Sequence, residues 1–332
     1  MPHRALITGV SGFAGGFLAE HLLAAGDSVL GWAPDGLWTD SSPPSIRGRV
    51  PLIAWDLGRA EELPASVRQE VERFAPDVIY HLAAVSTPRE CGEEQPTQAA
   101  VAVNVGGTRR VLDLANALPS RPRVLVVSSN HVYARVDRNS PRVDEDAPLA
   151  PRTAYGRTKL AAEEEVRRAV RRHGCNALIA RSFQHTGPRQ QAPVMLVDWA
   201  KQFAQGGSGP VQVHTCDAHL DLCDVRDVVR AYRLLAEHGE PGEVYNVGSG
   251  VSRRSGDILD AMRRLADRQR PVDEIHPGFK QEPIADVTRL VLATGWSAAI
   301  PLEQTIADTL EWWQRRVRGS GFRVQDGAAT NS

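Results

Sequence analysis

A glycine-rich segment between an apolar run and a helical pattern constrains the fold of this chain more than any other feature. The apolar run covers residues 5–7, the glycines are Gly9, Gly12 and Gly15, and helical periodicity follows from residue 17. We expect Gly9 to form a tight turn, Gly12 to let a pyrophosphate approach the backbone and Gly15 to let the helix pack on the strand. The segment predicts a dinucleotide site on the free N–H groups that open the helix. The alternative is an ordinary glycine turn.

Strand-like and helix-like segments alternate through the first half of the chain. The run at 124–127 is continuously apolar, which is typical of a strand covered on both faces. Long helices are predicted over 95–118 and 153–172. Gly106 and Gly107 indicate close packing of the first, because an interior glycine costs a helix about 1 kcal/mol relative to alanine. The alternation predicts an α/β fold with a doubly wound parallel sheet of the Rossmann type. The predicted strands are residues 28–33, 52–55, 78–84 and 124–127.

Composition and charge narrow the class of protein. The 332 residues are 42% hydrophobic, which suits one large domain or two fused lobes. Lys and Arg total 39 against 40 Asp and Glu, so the net charge of −1 gives no general field for nucleic acid or an anionic membrane. No apolar run reaches the roughly 18 residues of a membrane span, and no secretory leader is evident. The cysteines lack the C-x-x-C spacing of a zinc site. We expect a cytoplasmic protein with reduced thiols and with no metal, nucleic-acid or membrane partner.

The end of the second predicted strand bears on the choice between NAD and NADP. A carboxylate at this point accepts hydrogen bonds from the ribose hydroxyls of NAD. Ala33 occupies the position, and Asp35 comes two residues late. NADP is therefore favoured, with NAD possible, and Arg47 and Arg49 are the candidates to hold a ribose phosphate.

Two further strand ends are candidates for cofactor contacts. Asp56 follows the third strand, where its carboxylate can accept from an adenine amino group; the alternative is a helix N-cap for a segment starting near residue 59. The fourth strand runs into Leu82, Ala83 and Ala84, small side chains that let backbone and ribose come close.

Tyr155 and Lys159 are the candidate catalytic pair. They stand four residues apart on a predicted helix, so both side chains leave the same face. A ketone that accepts a hydride develops charge on its oxygen, which must be protonated or hydrogen-bonded as it forms. We expect Tyr155 to supply that proton and the Lys159 ammonium to lower the pKa of the phenol. The alternative is a solvated surface pair.

Taken together, these motifs resemble the extended short-chain dehydrogenase/reductase family, also described as the NAD-dependent epimerase/dehydratase family. The residues that carry the likeness are the three glycines, Asp56-Leu57, His81 with the three residues after it, Ser129, and Tyr155-x-x-x-Lys159. Later stretches extend the likeness across nearly the whole chain. Members act mostly on nucleotide-activated sugars, and the sequence is most similar to the GDP-4-keto-6-deoxy-D-mannose reductases.

The resemblance implies roles for individual residues. Lys159 would also hold the nicotinamide ribose, and Ser129 would donate a second hydrogen bond to the substrate oxygen. The implied cofactor contacts are Gly9, Gly12, Phe13, Ala14, Gly15, Asp56, Leu57, Leu82, Ala83, Ala84, Tyr155, Lys159, Phe183 and His185. The implied substrate contacts are Ser86, Ser129, Asn130, Gln184, Val194 and Lys280.

Several positions depart from the family's pattern. Dehydratases that resemble this family carry an acid just after the serine or threonine, where this chain has Asn130 and His131. Gln184 replaces an asparagine and Leu220 replaces an arginine that could pair with a diphosphate, while Lys280 is a candidate substitute for a nearby arginine. The sequence predicts an NADPH-dependent reductase of a 4-keto-6-deoxy nucleotide sugar. The alternatives are a 4-epimerase with tightly bound NAD and a non-catalytic dinucleotide-binding protein.

The resemblance also implies an organisation into two lobes. We expect a Rossmann domain from residues 1–183 and 221–250 and a smaller substrate-binding lobe from 184–220 and 251–316. Residues 317–332 lack apolar periodicity and are predicted to be disordered. The two long helices are predicted to form the four-helix bundle of a homodimer.

Overall fold

A seven-stranded parallel sheet forms the framework of the molecule. The computed structural model describes residues 2–39, 42–59 and 61–319. The strands are β1 (Arg4–Thr8), β2 (Ser28–Ala33), β3 (Leu52–Ala54), β4 (Val78–His81), β5 (Arg123–Ser129), β6 (Arg142–Val143), β7 (Ala177–Ser182), β8 (Gln184–Thr186), β9 (Val211–Val213), β10 (Ala218–Asp224), β11 (Val244–Val247), β12 (Ser252–Arg254), β13 (Val272–Glu274), β14 (Lys280–Gln281) and β15 (Ile284–Ala285).

The order of the large sheet is β11-β7-β5-β4-β1-β2-β3, and each neighbouring pair is parallel. The predicted doubly wound Rossmann sheet is therefore confirmed. Chain order reverses at β1, so the carboxyl ends of β1, β4 and β5 meet at one edge, where this class of sheet binds its ligands.

Helices cover both faces of this sheet. They are α1 (Phe13–Ala24), α2 (Pro44–Arg47), α3 (Ala65–Phe74), α4 (Pro88–Cys91), α5 (Gln98–Val101), α6 (Thr108–Ala117), α7 (Ala154–His173), α8 (Met195–Gln205), α9 (Val225–His238), α10 (Ser255–Leu265), α11 (Thr288–Thr294) and α12 (Leu302–Gly319).

Alternation along the strands divides the interior into two cores. Ala5 and Ile7 pack under α1 and α9 in one core, and Leu6 between them packs into the other, under α3, α6 and α7. This is the two-residue period of a strand buried on both faces. α7, on this second face, is the helix that carries Tyr155 and Lys159.

A third core lies outside the large sheet. Trp199 of α8, Met262 of α10, and Ile306 and Trp313 of α12 are buried together in it. β10 crosses the predicted boundary at residue 221 and pairs with β8, β12 and β14. α9 and β11 then return the chain to the large sheet. The proposed domain limits stay a prediction.

The helix predicted over 95–118 differs from the structure in two respects. It begins only at Gln98, where the Thr97 hydroxyl oxygen accepts a hydrogen bond from the Ala100 amide at 3.1 Å. A π-helical turn, Ala102–Gly107, then joins α5 to α6. The close packing indicated by the glycines is present, since a Cβ on Gly107 would lie 3.2 Å from Cβ of Leu57.

The predicted disordered tail starts too early. α12 continues to Gly319, past its last buried side chain, Trp313. An ion pair between Arg315 and Glu311, one turn apart, supports this end of the helix. Residues 320–332 lie outside the described residues.

Candidate active site

The glycine turn has the geometry expected of a phosphate cradle. Gly9 takes a left-handed φ of +72°, which favours glycine. A Cβ on Gly15 would lie only 2.2 Å from the Gly9 carbonyl oxygen, so the helix approaches the turn more closely than a side chain permits. Gly12 precedes α1, and within the described residues no side-chain hydrogen bond caps this helix. The amides of the first turn therefore face outward for an anion.

The segment after β4 lies against this turn. The Leu82 amide donates to the Thr8 carbonyl at 3.2 Å, and the Ala83 amide donates to the Thr8 hydroxyl oxygen at 3.3 Å. A Cβ on Gly9 would lie 2.8 Å from the Ala83 nitrogen. Leu82 and Ala83 thus lie beside the glycine turn, and the contact of residues 82–84 with a cofactor ribose stays a prediction. Ser86 is exposed further along the same loop.

Asp56 does not cap a helix, so that alternative is wrong. Its Oδ1 accepts from the Gly58 amide at 2.8 Å, which closes a short turn, and α3 begins only at Ala65 after Pro64. Leu57 is buried under this turn.

Arg47, in the segment after β2, already donates hydrogen bonds to backbone carbonyls. Arg47 donates to the carbonyls of Ser42 and Thr39 at 3.0 and 2.8 Å. Asp35 accepts from the Leu37 amide at 3.0 Å. A role for Arg47 or Arg49 with a cofactor phosphate stays a prediction.

Tyr155 and Ser129 meet where β5 ends and α7 begins. The Thr153 hydroxyl oxygen caps α7 by accepting from the Gly156 amide at 3.0 Å, which fixes Tyr155 in the first turn. Ser129 is buried, its hydroxyl oxygen accepts from the His131 amide at 3.2 Å, and its side chain lies close enough to Tyr155 to work toward a lower pKa of the phenol. The His131 ring packs edge-on against the Tyr155 ring with centroids 5.8 Å apart. Desolvation lowers the pKa of His131, and Glu282 opposes that shift.

Lys159 lies one turn along the same face and is also buried. Its Nζ donates to the Val127 carbonyl at 2.8 Å and lies 5.8 Å from the Tyr155 ring centroid. Desolvation lowers the pKa of Lys159 to about 8. Desolvation also raises the pKa of Tyr155, against the hydrogen bond from Ser129. The sequence predicts that the Lys159 ammonium lowers the pKa of Tyr155; the net shift in this structure is upward because desolvation is its largest cause, and the role of Lys159 stays a prediction.

Gly156 is a site residue that the sequence analysis missed. A Cβ there would lie 2.3 Å from the carbonyl oxygen of His131. Glycine therefore lets the first turn of α7 touch the turn after β5, which brings Tyr155 to Ser129. The signal was a glycine directly after the tyrosine at a helix start.

Several other residues predicted to bind the cofactor or the substrate lie near Tyr155 and Ser129 or near the glycine turn. Asn130 is buried and its Nδ2 lies 3.4 Å from Gln184 Oε1. The His185 ring is stacked on the Phe13 ring, with centroids 6.2 Å apart, so the segment after β7 reaches the first turn of α1. Phe183 is buried beside Tyr133.

Val194 and Lys280 lie on the side of the third core. Val194 lines a cleft of about 540 Å³ together with Gln212 and His214. Lys280 Nζ is 2.5 Å from His214 Nε2, and the His276 ring lies 4.7 Å from that of His214. Desolvation and the charges of Lys280 and His276 lower the pKa of His214. His214 is exposed here, and only the fold reveals that it joins Lys280.

Two further features bear on the class of protein. In residues 2–39, 42–59 and 61–319, no three His, Cys, Asp or Glu side chains are grouped so that they could hold a metal ion. No helix within those ranges is both long enough and apolar enough to span a membrane. The cysteines of this part of the chain are free thiols: Cys91, Cys175, Cys216 and Cys223.

Known proteins match both the sequence and the fold. The chain is 29% identical over 328 residues to a GDP-6-deoxy-D-mannose reductase of Pseudomonas aeruginosa, covering 96% of this chain and 99% of the relative. It is 26% identical over 360 residues to a dTDP-glucose 4,6-dehydratase of Xanthomonas campestris pv. campestris, covering 98% and 99%. The solved structure of RMD from Pseudomonas aeruginosa complexed with NADPH matches with a TM-score of 0.76 at 27% identity, over 95% of this chain and all of that one.

A family model matches the part of the chain that holds the large sheet. A model of the NAD dependent epimerase/dehydratase family matches residues 5–248, from the first strand to the last strand of the large sheet. That span includes the glycine turn and the Tyr155–Lys159 pair. The chain accordingly belongs to the NAD dependent epimerase/dehydratase family and is an NAD(P)-dependent oxidoreductase of the extended short-chain dehydrogenase/reductase type.

Proposed function

We propose that this protein uses NADPH to reduce the keto group of a 4-keto-6-deoxy nucleotide sugar in deoxysugar biosynthesis, with GDP-4-keto-6-deoxy-mannose as the first candidate. The observation that carries the proposal is that the Tyr155 and Ser129 side chains come together at the carboxyl edge of the sheet, where Ser129 acts to lower the pKa of the Tyr155 phenol. Two hydroxyls that meet at one point can both bond a single ketone oxygen. The GDP-6-deoxy-D-mannose reductase relative, aligned over 96% of the chain, supports the choice of substrate.

The residues around the glycine turn fit a dinucleotide. We assign the pyrophosphate to the turn at Gly12, adenine to Asp56, and the nicotinamide ribose to Tyr155 and Lys159. When bound, the cofactor supplies the hydride that reduces the carbonyl carbon. The NADPH complex of the RMD relative supports NADPH, and NAD is the alternative. The remaining residues assigned to the cofactor are Gly9, Phe13, Ala14, Gly15, Leu57, Leu82, Ala83, Ala84, Phe183 and His185.

The catalytic roles follow from the chemistry of the hydroxyl pair. Ser129 donates a hydrogen bond to the ketone oxygen, and Tyr155 transfers its proton to that oxygen as negative charge develops there. The phenolate left on Tyr155 then regains a proton from water. Because the pKa of Lys159 is lowered only to about 8, this side chain carries a positive charge at neutral pH and favours the phenolate.

Reduction is favoured over dehydration by the two residues after Ser129. Elimination of water needs a carboxylic acid or carboxylate beside the serine, and this chain has Asn130 and His131 there. Asn130 is directed to Gln184, and His131 to the ring of Tyr155. We therefore propose reduction, although a dTDP-glucose 4,6-dehydratase also aligns with the chain.

The diphosphate of the substrate is assigned to Lys280 together with His214. Leu220 stands where the family often has an arginine, so a positive charge must come from elsewhere. Lys280 and His214 touch each other, and His276 adds a third nitrogen-bearing side chain at this place. An anion bridging them would relieve their mutual repulsion. Ser86, Asn130, Gln184 and Val194 are assigned to the sugar and the base.

We also propose a cytoplasmic homodimer in which α5, α6 and α7 form a four-helix bundle with the same helices of the partner. Val101 on α5 is 43% exposed, which is unusual for a valine within a packed helix layer. Arg109 and Glu165 form a 3.0 Å ion pair between α6 and α7. Sedimentation as a monomer would contradict the dimer.

The test is to follow NADPH and NADH absorbance with keto-sugar nucleotides that carry GDP, UDP or dTDP. Oxidation of NADPH with the GDP-linked ketone is the expected result. Mass spectrometry of nucleotide released from the purified protein accompanies it. Stoichiometric bound NAD with no net oxidation would instead identify a 4-epimerase, and no binding of either nucleotide would exclude both enzymes.

A further inference from the structure

A buried histidine connects the cofactor edge of the sheet to the helix layer above it. His81 ends β4 and is 2% exposed. Its Nδ1 lies 2.7 Å from the Thr8 hydroxyl, at the end of β1, and its Nε2 lies 3.0 Å from the Thr108 hydroxyl, at the start of α6. Both ring nitrogens are therefore in hydrogen bonds, to two different elements.

The surrounding bonds fix the direction of each proton. Thr108 gives its single hydroxyl proton to the Asn104 carbonyl at 2.7 Å, so it can only accept from His81 Nε2. His81 Nδ1 must then accept from the Thr8 hydroxyl, whose oxygen accepts in turn from the Ala83 amide at 3.3 Å. Burial lowers the pKa of His81 to about 3, so the ring stays neutral, as this arrangement requires.

The connection continues from Asn104 to the catalytic helix. The Asn104 amide group donates to Val85 O at 2.9 Å and to the Thr158 hydroxyl oxygen at 2.8 Å. Thr158 donates to the Tyr155 carbonyl at 2.7 Å. Asn104 lies in the π-helical turn, a local irregularity often found at functional sites.

We propose that His81 is a positioning residue that holds the start of α7, and with it Tyr155, in register with the glycine turn through Thr108, Asn104 and Thr158. The proposal rests on the proposed function, because it supposes that a cofactor binds at that turn. A buried polar network with every member satisfied is rigid. A side chain misplaced by about 1 Å can cost a reaction about 100-fold.

This hydrogen-bond network also gives a role to buried side chains that the proposed reaction does not use. Nothing in the proposed chemistry calls for His81, Asn104 or Thr158. A hydrophobic residue in place of His81 would leave the hydroxyls of Thr8 and Thr108 without these partners in a buried place. The imidazole is the side chain that accepts on one edge and donates on the other across this gap.

The test compares Thr108→Val, which keeps the shape but removes the hydroxyl, with Thr108→Ser, which keeps the hydroxyl. We expect Thr108→Val to lower kcat by about 100-fold while KM and the affinity for NADPH stay within about threefold, and Thr108→Ser to restore kcat. A fall in kcat equal in the two variants would overturn the proposal.

Amide exchange provides a readout that does not depend on turnover. NADPH binding, measured by tryptophan fluorescence, is expected to slow exchange in the first two turns of α7 in the wild type and in Thr108→Ser, but not in Thr108→Val. Equal slowing in all three proteins with NADPH bound would overturn this proposal and leave the proposed function intact. Failure of the wild type to bind NADPH would overturn the proposed function and this inference with it.

A measurement on the wild type keeps the proposal testable if Thr108→Val does not fold. Nitrogen NMR of histidine-labelled protein is expected to find His81 neutral with its proton on Nε2 between pH 6 and 8. A proton on Nδ1, or a titration in this range, would overturn the proposal.

Discussion

Lys159 lies beside Tyr155 but gives its hydrogen bond to the main chain. Its Nζ is 2.8 Å from the Val127 carbonyl oxygen and 5.8 Å from the centroid of the Tyr155 ring. The lysine is thus fixed to the strand that carries Ser129. α7 and that strand are joined at this point independently of any substrate.

Tyr155→Phe is expected to remove nearly all turnover and to leave NADPH binding unchanged. A general acid contributes about 10² to 10⁴ in rate, and phenylalanine keeps the ring but has no proton to give. Turnover is measured by NADPH absorbance and binding by fluorescence titration. Tyr245→Phe is the control, because the Tyr245 hydroxyl on β11 accepts from the Glu240 amide at 2.9 Å, away from the site. Activity retained by Tyr155→Phe would refute the assignment.

The free energy of unfolding of the wild type is expected to rise with pH relative to that of Lys159→Met. Its pKa is about 8 in the folded protein and 10.5 in the unfolded chain. Below pH 8 the folded and unfolded states both hold the Lys159 proton, and the cost of burying its charge is fully present. Between pH 8 and 10.5 only the unfolded state holds the proton, so the stability of the wild type rises with pH. The gain over the variant should approach about 3 kcal/mol. Urea denaturation of both proteins from pH 7 to 10.5 measures it, and a constant difference would contradict it.

Gly15→Ala and Gly16→Ala are expected to have opposite effects, although the two glycines are adjacent. A Cβ on Gly15 would lie 2.2 Å from the Gly9 carbonyl oxygen, whereas a Cβ on Gly16 meets nothing closer than 3.9 Å. Gly15→Ala should destabilise the protein by about 2 kcal/mol or more and weaken cofactor binding. Gly16→Ala should stabilise it by up to about 1 kcal/mol, since alanine favours a helix. Thermal unfolding and NADPH titration check both, and equal behaviour would argue against the tight approach at Gly15.

Arg181→Met is expected to cost about 3 kcal/mol or more in the free energy of unfolding. Arg181 and Glu163 are buried and joined by hydrogen bonds of 2.8 and 2.9 Å, so removal of the guanidinium leaves a buried carboxylate with too few partners. Arg167→Met is the matched control. Arg167 also bonds Glu163, at 2.8 Å, but from a partly exposed position, so its loss should cost less. Denaturant unfolding compares them; a larger cost for Arg167→Met would refute this ranking.

Lys280→Met is expected to raise KM for the nucleotide sugar by about 10-fold or more with little effect on NADPH affinity. A hydrogen bond to a charged group contributes about 1.5 to 3 kcal/mol, and this side chain is assigned to the diphosphate. Lys280→Arg keeps the charge and should stay close to the wild type. Steady-state kinetics with varied sugar nucleotide measure the effect. An unchanged KM in Lys280→Met would refute the assignment of the substrate diphosphate to Lys280.

The fold could be predicted from the sequence because its signals are local. The apolar runs of β1, β2, β4 and β5 and the glycines after β1 each follow from neighbouring residues. The spacing of Tyr155 and Lys159 likewise places both on one face of a helix. Such patterns depend on chain periodicity and turn chemistry, which tertiary contacts do not override here.

The remaining features depend on contacts between distant segments. His214 meets Lys280 beside the pairing of β10 with β14, and β14 has just two residues, too few for a sequence pattern. The Val127 carbonyl, which holds Lys159, has no sequence signal at all. The Asn104 carbonyl in the π-helical turn accepts from Thr108, which in turn bonds His81 on a distant strand, and periodicity alone predicts an ordinary helix there.

The position of β11 has a consequence for synthesis of the chain. β7 pairs with β5 on one side and with β11 on the other, but β11 is made only after β8, α8, β9, β10 and α9. At about 5 to 20 residues per second, the free edge of β7 waits roughly 3 to 12 s for its partner on the ribosome. During that interval a nascent chain exposes an apolar strand edge, the kind of surface that chaperones cover. Ribosome stalling between residues 183 and 243 should therefore promote aggregation more than stalling after residue 248.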